Sequence, residues 1–352
     1  MRRKAMALLL TVAMAAGLTA CGGGSSDPAS SSDASTGTAS SGKAITIKLC
    51  HTDPSGCAVT TALQQFAEAV TKDTDGRIVI EEYADGIMGD DDEINEQIYN
   101  GAYMMNYSDP ALLEPYYPEY SILFSPYFYN SYDEIAKVAQ TDFGKRLQAE
   151  CKEAGLMVLD GMSSYYGSRQ IMSKKPINTP DDLKGLKIRV PSNEIQSYGF
   201  DVLGATSTGM ALGDVYQALQ TKTIDGAENP IATLYGRKLH EVAPYLILDG
   251  HVKNFTTWVV SADWFNSLTE EQQNWLVETA QEAGEYNNQV LQEAEQEYLQ
   301  LMVDEGVTVV DPSEEVLEGF REKAAPFYEM GDRFGWSDGL YDTVRKAMGA
   351  EE

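Results

Sequence analysis

Positive charge is what this sequence has least of. Lysine and arginine together number 26 against 54 aspartates and glutamates, and the formal net charge is −28. A polyanion repels nucleic-acid phosphates, so no nucleic-acid partner is expected. Cysteine is scarce as well. Of the four, Cys21 closes an N-terminal apolar stretch, and Cys50, Cys57 and Cys151 are an odd number that forms no disulfide framework. Cys50 and Cys57 are near enough in sequence to bridge a short loop or to remain thiols, while Cys151 reads as a small buried hydrophobe. Three histidines, His51, His240 and His251, are too widely spaced for a local zinc pattern. P-loop, HExxH, GxSxG and paired CxxC motifs are all missing. We expect no catalytic residue, no metal and no cofactor.

Apolar runs long enough to cross a bilayer are also missing. The longest, Ala5 to Gly17, follows a basic start of Arg2, Arg3 and Lys4 and reads as an export signal over residues 1–20. The "LTAC" that follows resembles a lipoprotein cleavage box in which Cys21 becomes the lipidated N-terminus; an unmodified Cys after an ordinary signal peptide is the other reading. After Cys21, the rest of residues 21–42 is a Gly/Ser/Thr/Ala-rich tract with no apolar side chain larger than that of Pro28, too poor in hydrophobic surface to order itself. The expected protein is anchored by a lipid at the outer face of the cell membrane, or is periplasmic.

What remains after the tract exceeds the usual size of one hydrophobic core, so two domains are expected. "AITIKLCHT" alternates like a strand, "VTTALQQFAEAVTKDTDG" has helical spacing at Val59, Leu63, Phe66 and Val70, and "RIVIEEYAD" is strand-like again. That order is a βαβ unit and implies a mostly parallel sheet covered by helices. "GLMVLDGM" and "LKIRVPS" add strands, and "NEIQSYGFDVLG" adds a helix. Thr269 to Glu305 contains no Pro and a single Gly, Gly284. Thr269 with Gln272 forms a capping box and Gly306 a stop, so this segment is expected as one helix long enough to touch both domains. The acidic run "GDDDEINEQ" lacks the glycine and the ligand spacing of a calcium loop and reads instead as the first turn of a helix.

Two arginines stand out. Leu186, Ile188 and Val190 share one strand face, which puts Lys187 and Arg189 on the other, just before Pro191. A guanidinium there points into the crevice at the strand ends where α/β folds bind ligands. Arg169, in "YYGSRQIMS", lies at another expected strand start. Arginine grips carboxylates with paired hydrogen bonds, but either residue could equally pair with a carboxylate of the fold. In "GDVYQALQTKTIDGAENP", helical spacing at Leu212, Val215, Tyr216 and Leu219 breaks at Asp225-Gly226, and Pro230 then fixes Glu228 and Asn229 on a rigid elbow.

The segments "YYGSRQIMSKKPINTPDDLKGLKIRVPSN" and "MALGDVYQALQTKTIDGAENP", with "GAYMMNYSDPALLEPYYPEYSILFSPYF", resemble the solute-binding subunits of TRAP transporters in the DctP-like family. The resemblance implies an α/β, two-domain periplasmic-binding-protein-like fold with crossing strands and a long helix spanning both domains. Residues 43–166 with 255–294 would form one domain, and 167–254 with 295–352 the other. It implies a small organic acid held in an interdomain cleft, with Arg189 making the paired carboxylate contact, Arg169 supporting it and Asn229 donating an amide. By the same resemblance His51 would stand near the end of the first strand in the pocket, and Asp109 would face the polar part of the ligand, disfavouring a plain dicarboxylate. Tyr166 and Trp258 could line a pocket or belong to the core. The implied partners are the membrane subunits of a TRAP transporter, and a monomer is expected. A binding protein reporting to a sensor kinase and a secreted hydrolase are the alternatives.

Overall fold

Alternation in "ITIKLC" builds strand β1 (Ile45–Cys50), which buries Ile47 and Leu49. Helix α1 (Ala58–Asp73) lays Val59, Leu63, Phe66 and Val70 into the same core, and β2 (Ile78–Tyr83) returns parallel to β1. The computed structural model describes residues 44–162 and 164–349. The export segment, Cys21 and the Gly/Ser tract lie outside the described residues.

The chain continues through α2 (Asp91–Tyr99), β3 (Met104–Ser108), α3 (Tyr132–Gln140), α4 (Asp142–Glu153), β4 (Leu156–Val158) and β5 (Ser164–Ser173). A second alternating run follows: β6 (Lys187–Val190), α5 (Glu194–Val202), β7 (Thr206–Gly209), α6 (Val215–Gln220), β8 (Gly226–Pro230) and α7 (Ile231–Gly236). The last stretch holds β9 (Tyr245–Ser261), α8 (Ala262–Asn266), α9 (Glu270–Asp304), β10 (Thr308–Val310), α10 (Glu314–Ala324) and α11 (Leu340–Ala347). Acids of the "GDDDEINEQ" run do occupy the first turn of a helix, α2, where they oppose its positive N-terminal end.

Strand order is β2-β1-β3-β9-β5-β8-β6-β7, with β4 and β10 both paired to β9. One half has β1 parallel to β2 and β3; the other has β6 parallel to β7 and β8. Two strands cross between them. The 17-residue β9 pairs with β3 and β4 near its C-terminal end, and with β10 at Tyr245–Ile247. Strand β5 runs antiparallel to both β9 and β8. It begins at Ser164, so Arg169 sits in its middle and not at its start.

Helix α9 ties the halves together. It runs 35 residues, about 53 Å at 1.5 Å per residue, and Thr269 and Glu305 are its caps. The reciprocal capping box is present: Gln272 N–H donates to Thr269 Oγ1, and Thr269 N–H donates to Gln272 Oε1. Leu276, Ala280, Ala283 and Leu291 pack into the core of β1, α1 and β2, whereas Met302 packs into the core of α6 and α7. The fold is thus a two-domain α/β fold of periplasmic-binding-protein type, with crossing strands and one long helix along both domains.

Cys50, Cys57 and Cys151 are free and buried, so the short-loop bridge is not made. Burial pushes the Cys50 and Cys151 thiols up to about 12 and the Cys57 thiol to about 11, which leaves them protonated and inert. Among the described residues no group of acids, His and Cys could hold a metal ion, and no helix is long and apolar enough to cross a membrane.

Candidate ligand-binding cleft

The ends of β1, β3, β6 and β8, the middle of β5 and the first turn of α2 converge on one cleft. It holds about 620 Å³ of empty space, partly open to solvent. Its place at the strand ends is where open α/β sheets bind ligands.

Arg189 reaches this cleft because β6 alternates. Ile188 and Val190 go to the core with Leu186, and Arg189, one residue off that register, turns the other way. Its side chain is 3% exposed. Nε and Nη2 donate to the Met210 carbonyl at 2.8 and 2.5 Å, and no carboxylate of a described residue pairs with it. Desolvation lowers its pKa to about 10, still cationic at neutral pH. A sealed cation without a counter-ion is costly, and an anion entering the cleft relieves that cost. Since Nε is spent on Met210, the Nη1 end of the fork is the part left for a ligand.

Arg169 is the opposite case. It is 1% exposed and fully paired: Nε and Nη2 donate to Glu228 at 2.5 and 2.8 Å, and Nη1 donates to Asp109 at 3.0 Å. Desolvation works against its charge, but the attraction of Glu228 and Asp109 outweighs this and raises its pKa. Glu228 also accepts from Gln196 at 3.2 Å and lies 3.1 Å from His251 Nε2. Desolvation would raise the Glu228 carboxyl, yet Arg169 and His251 together hold it near 2. His251 Nδ1 is 2.9 Å from Asp249. Desolvation opposes its charge too, and Asp249 with Glu228 raises it to about 9. The result is an alternating buried row, Asp109, Arg169, Glu228, His251, Asp249, that runs from the cleft into the protein.

Asn229 follows Glu228 on β8 and alternates to the other face. It lines the cleft, and its carboxamide makes no hydrogen bond to a described residue. Pro230 ends β8 and caps α7 directly, so the elbow read from the sequence is real.

The remaining expected site residues divide. Tyr166 lines the cleft, with its hydroxyl donating to Asp53 at 2.6 Å. Asp109 also lines it, but both oxygens are engaged, Oδ2 by Arg169 and Oδ1 by the Asn254 amide at 2.9 Å. His51 does not line the cleft. Its backbone N–H still bonds the Tyr83 carbonyl as β1 ends, and its ring turns to Glu82, with Nε2 2.8 Å away. Trp258 is core, edge-on to Phe66 and Tyr107 and donating to Ser164 Oγ.

Sequence reasoning passed over Asp53, Thr52 and Asp91. The first two stand just beyond His51, where the chain leaves β1 and its side-chain alternation no longer applies. Asp91 was legible only as a helix first-turn acid; that the same turn faces the cleft depends on how α2 packs. Its Oδ2 accepts from Thr52 at 2.8 Å, and its Oδ1 is sealed from solvent with no hydrogen-bond partner. Burial pushes its carboxyl up to about 7.

Residues 49–333 match the family described as bacterial extracellular solute-binding protein, family 7. The sialic acid-binding periplasmic protein SiaP of Vibrio cholerae is 28% identical, over 84% of this chain and 90% of its own. The C4-dicarboxylate-binding periplasmic protein DctP of Rhodobacter capsulatus is 28% identical, over 83% and 88%. A solved TRAP periplasmic solute-binding protein from Ochrobacterium anthropi, with bound L-fuconate, matches with a TM-score of 0.81 at 33% identity, covering 87% of this chain and 99% of that one. Residues 49–333 take in the end of β1 and all of β2 to β10, and the chain belongs to this family, the DctP-type solute-binding proteins of TRAP transporters.

Proposed function

We propose that this protein captures a small organic acid by its carboxylate in the cleft and delivers it to the membrane subunits of a TRAP transporter. No bond is broken in this step. The observation that carries the reading is Arg189, a desolvated guanidinium with no carboxylate partner. Asn229 beside it offers a free amide. A carboxylate between them supplies the missing counter-charge and accepts from both. Arg169, already neutralised by Glu228 and Asp109, acts as support: it fixes β5 against β8 without spending its charge on the ligand. The relatives that bind sialic acid, C4-dicarboxylates and L-fuconate all take organic acids, in line with this chemistry.

The lobes that close on the ligand are residues 43–166 with 255–294 and residues 167–254 with 295–352. A thermal-shift screen of organic acids tests the reading, because a ligand at 100 times its Kd adds ~2.7 kcal/mol of stability. X-ray scattering on the same samples reads compaction on binding. A panel of mono- and dicarboxylates that leaves both the melting temperature and the scattering unchanged would sink the proposal.

A further inference from the structure

Helix α7 holds part of the cleft wall from behind. Thr52 and Asp53 line the cleft where the chain leaves β1, in the half of the sheet built from β1, β2 and β3. Helix α7 follows β8 in the other half and docks against the loop from Thr52 to Cys57. Thr233, fully buried, donates its hydroxyl to Asp53 Oδ1 at 3.2 Å. Gly236 lies so near the loop that a Cβ on it would stand 2.9 Å from Pro54 Cγ and 3.1 Å from Cys57 Cβ. Arg237, at the C-terminal cap of α7, donates from Nη2 to the Thr52 carbonyl and brings Nη1 to 3.7 Å from Asp85.

Asp85 is tied to the same loop. It accepts from the Ser55 N–H at 3.2 Å and the Ser55 hydroxyl at 2.5 Å, and its own N–H donates to the Asp53 carbonyl at 2.9 Å. One guanidinium of the second half therefore grips a backbone carbonyl and a carboxylate that the first half holds together. Arg237 does not line the cleft itself. The two halves stand close in this arrangement: Arg189 on β6 is 3% exposed and feels the charges of Asp90 and Asp91 on the opposite wall. A contact made across them here is one that hinge opening has to break.

We propose that Arg237 is a clasp between the lobes, closing onto the Thr52 carbonyl as they shut, and that it sets how long a captured acid is held without touching it. This rests on the two-lobe capture reading and adds a residue that tunes it. Only the shut form holds the ligand, so whatever favours that form raises apparent affinity by the same factor. The ligand enters and leaves through the open form, and the effect therefore falls on the off-rate. A hydrogen bond from a charged donor is of the strong kind, but Arg237 Nε is buried with no partner among the described residues, and opening returns it to water. The net effect is about tenfold.

The test is stopped-flow and calorimetric titration of the whole mature protein and of Arg237→Gln with a panel of mono- and dicarboxylates that includes galactonate, succinate and N-acetylneuraminate, alongside melts without ligand. For every acid that binds the wild-type protein, we expect dissociation from Arg237→Gln to be about tenfold faster, association to stay within about twofold, and the unliganded variant to melt as wild type does. An off-rate within about twofold of wild type overturns the clasp and leaves the capture reading intact. Weaker binding that comes entirely from slower association does the same, because losing one positive charge from the steering field accounts for it. Faster dissociation with a lower unliganded melting temperature also overturns the clasp, since the contact then belongs to the open protein and is not a product of closure. If no acid of the panel binds the wild-type protein, the capture reading fails and the clasp falls with it.

Discussion

Gly167 and Pro230 approach so closely that a Cβ on the glycine would lie 2.9 Å from the proline Cβ. Gly167 also has φ of +116°, a backbone state that residues with a side chain rarely adopt, and sits where the β5–β9 register shifts. The irregularity lies two residues before Arg169, and Pro230 is the β8 residue paired with Arg169. One contact therefore sets both the elbow that presents Asn229 and the strand that presents Arg169.

Gly167→Ala should accordingly be more harmful than an ordinary strand substitution. The positive φ alone costs more than the ~1 kcal/mol that Gly-to-Ala changes return at compatible sites, and the contact with Pro230 adds to it. We expect a loss of about 2 kcal/mol or more in urea unfolding, together with weaker ligand binding. Wild-type stability in this variant would show that β5 and β8 can part without cost.

The buried row from Asp109 to Asp249 predicts a dependence of stability on pH with a definite sign. His251 is raised from 6.5 to about 9. Its contribution is therefore full below pH 6.5 and lost as pH rises through 9. Glu228 is lowered from 4.5 to about 2, so its contribution is full above pH 4.5 and lost as pH falls towards 2. Between pH 4.5 and 6.5 both are complete. His251→Gln should remove the alkaline part: the gap in unfolding free energy between wild type and variant, on the order of 2 kcal/mol at pH 6, narrows towards pH 9.5. Asp91 and Glu114, both raised to about 7 by burial, also titrate in this window, but they do so in both proteins and drop out of the difference. Unfolding curves that stay parallel from pH 6 to 9.5 would rule out a charged His251.

Much of this was legible in the sequence, for identifiable reasons. The βαβ start, α9 with its capping box, and the face assignment of Arg189 all follow from periodicity and local chemistry, which act within a few residues. The elbow at Asn229 follows from Pro230. His51 was misread because the alternation of β1 does not extend past Cys50: once the strand ends, its ring turns to Glu82 on β2, and Thr52 and Asp53 take the cleft. The two arginines look alike in sequence and differ in the fold. What separates them is Glu228 and Asp109, which come 59 residues later and 60 residues earlier than Arg169, a partnership that no local pattern encodes.

That difference supports the sharpest prediction, a comparison of the two arginines. Arg169→Ala strands Asp109 as a buried carboxylate without its cation and leaves Glu228 with His251 alone, and breaking a buried pair this way costs about 3 to 5 kcal/mol of folding stability. Arg189→Ala strands no carboxylate. It removes two hydrogen bonds to Met210 and also an unpaired desolvated charge, two effects of opposite sign, so unliganded stability should move by no more than ~1 kcal/mol. Binding should respond in the reverse way. Arg189→Ala leaves the ligand carboxylate without its counter-charge and should abolish measurable binding of the screened acid. Arg189→Lys keeps the charge but loses the planar fork and at least one charge-assisted hydrogen bond, about 1.5 to 3 kcal/mol, or roughly 10- to 150-fold in Kd. Unliganded melts and calorimetric titrations of the three variants read both quantities. An Arg189→Lys protein that binds the screened acid within about twofold of wild type, or an Arg189→Ala protein that melts as low as Arg169→Ala, would show that Arg189 serves the fold and that the carboxylate is gripped elsewhere.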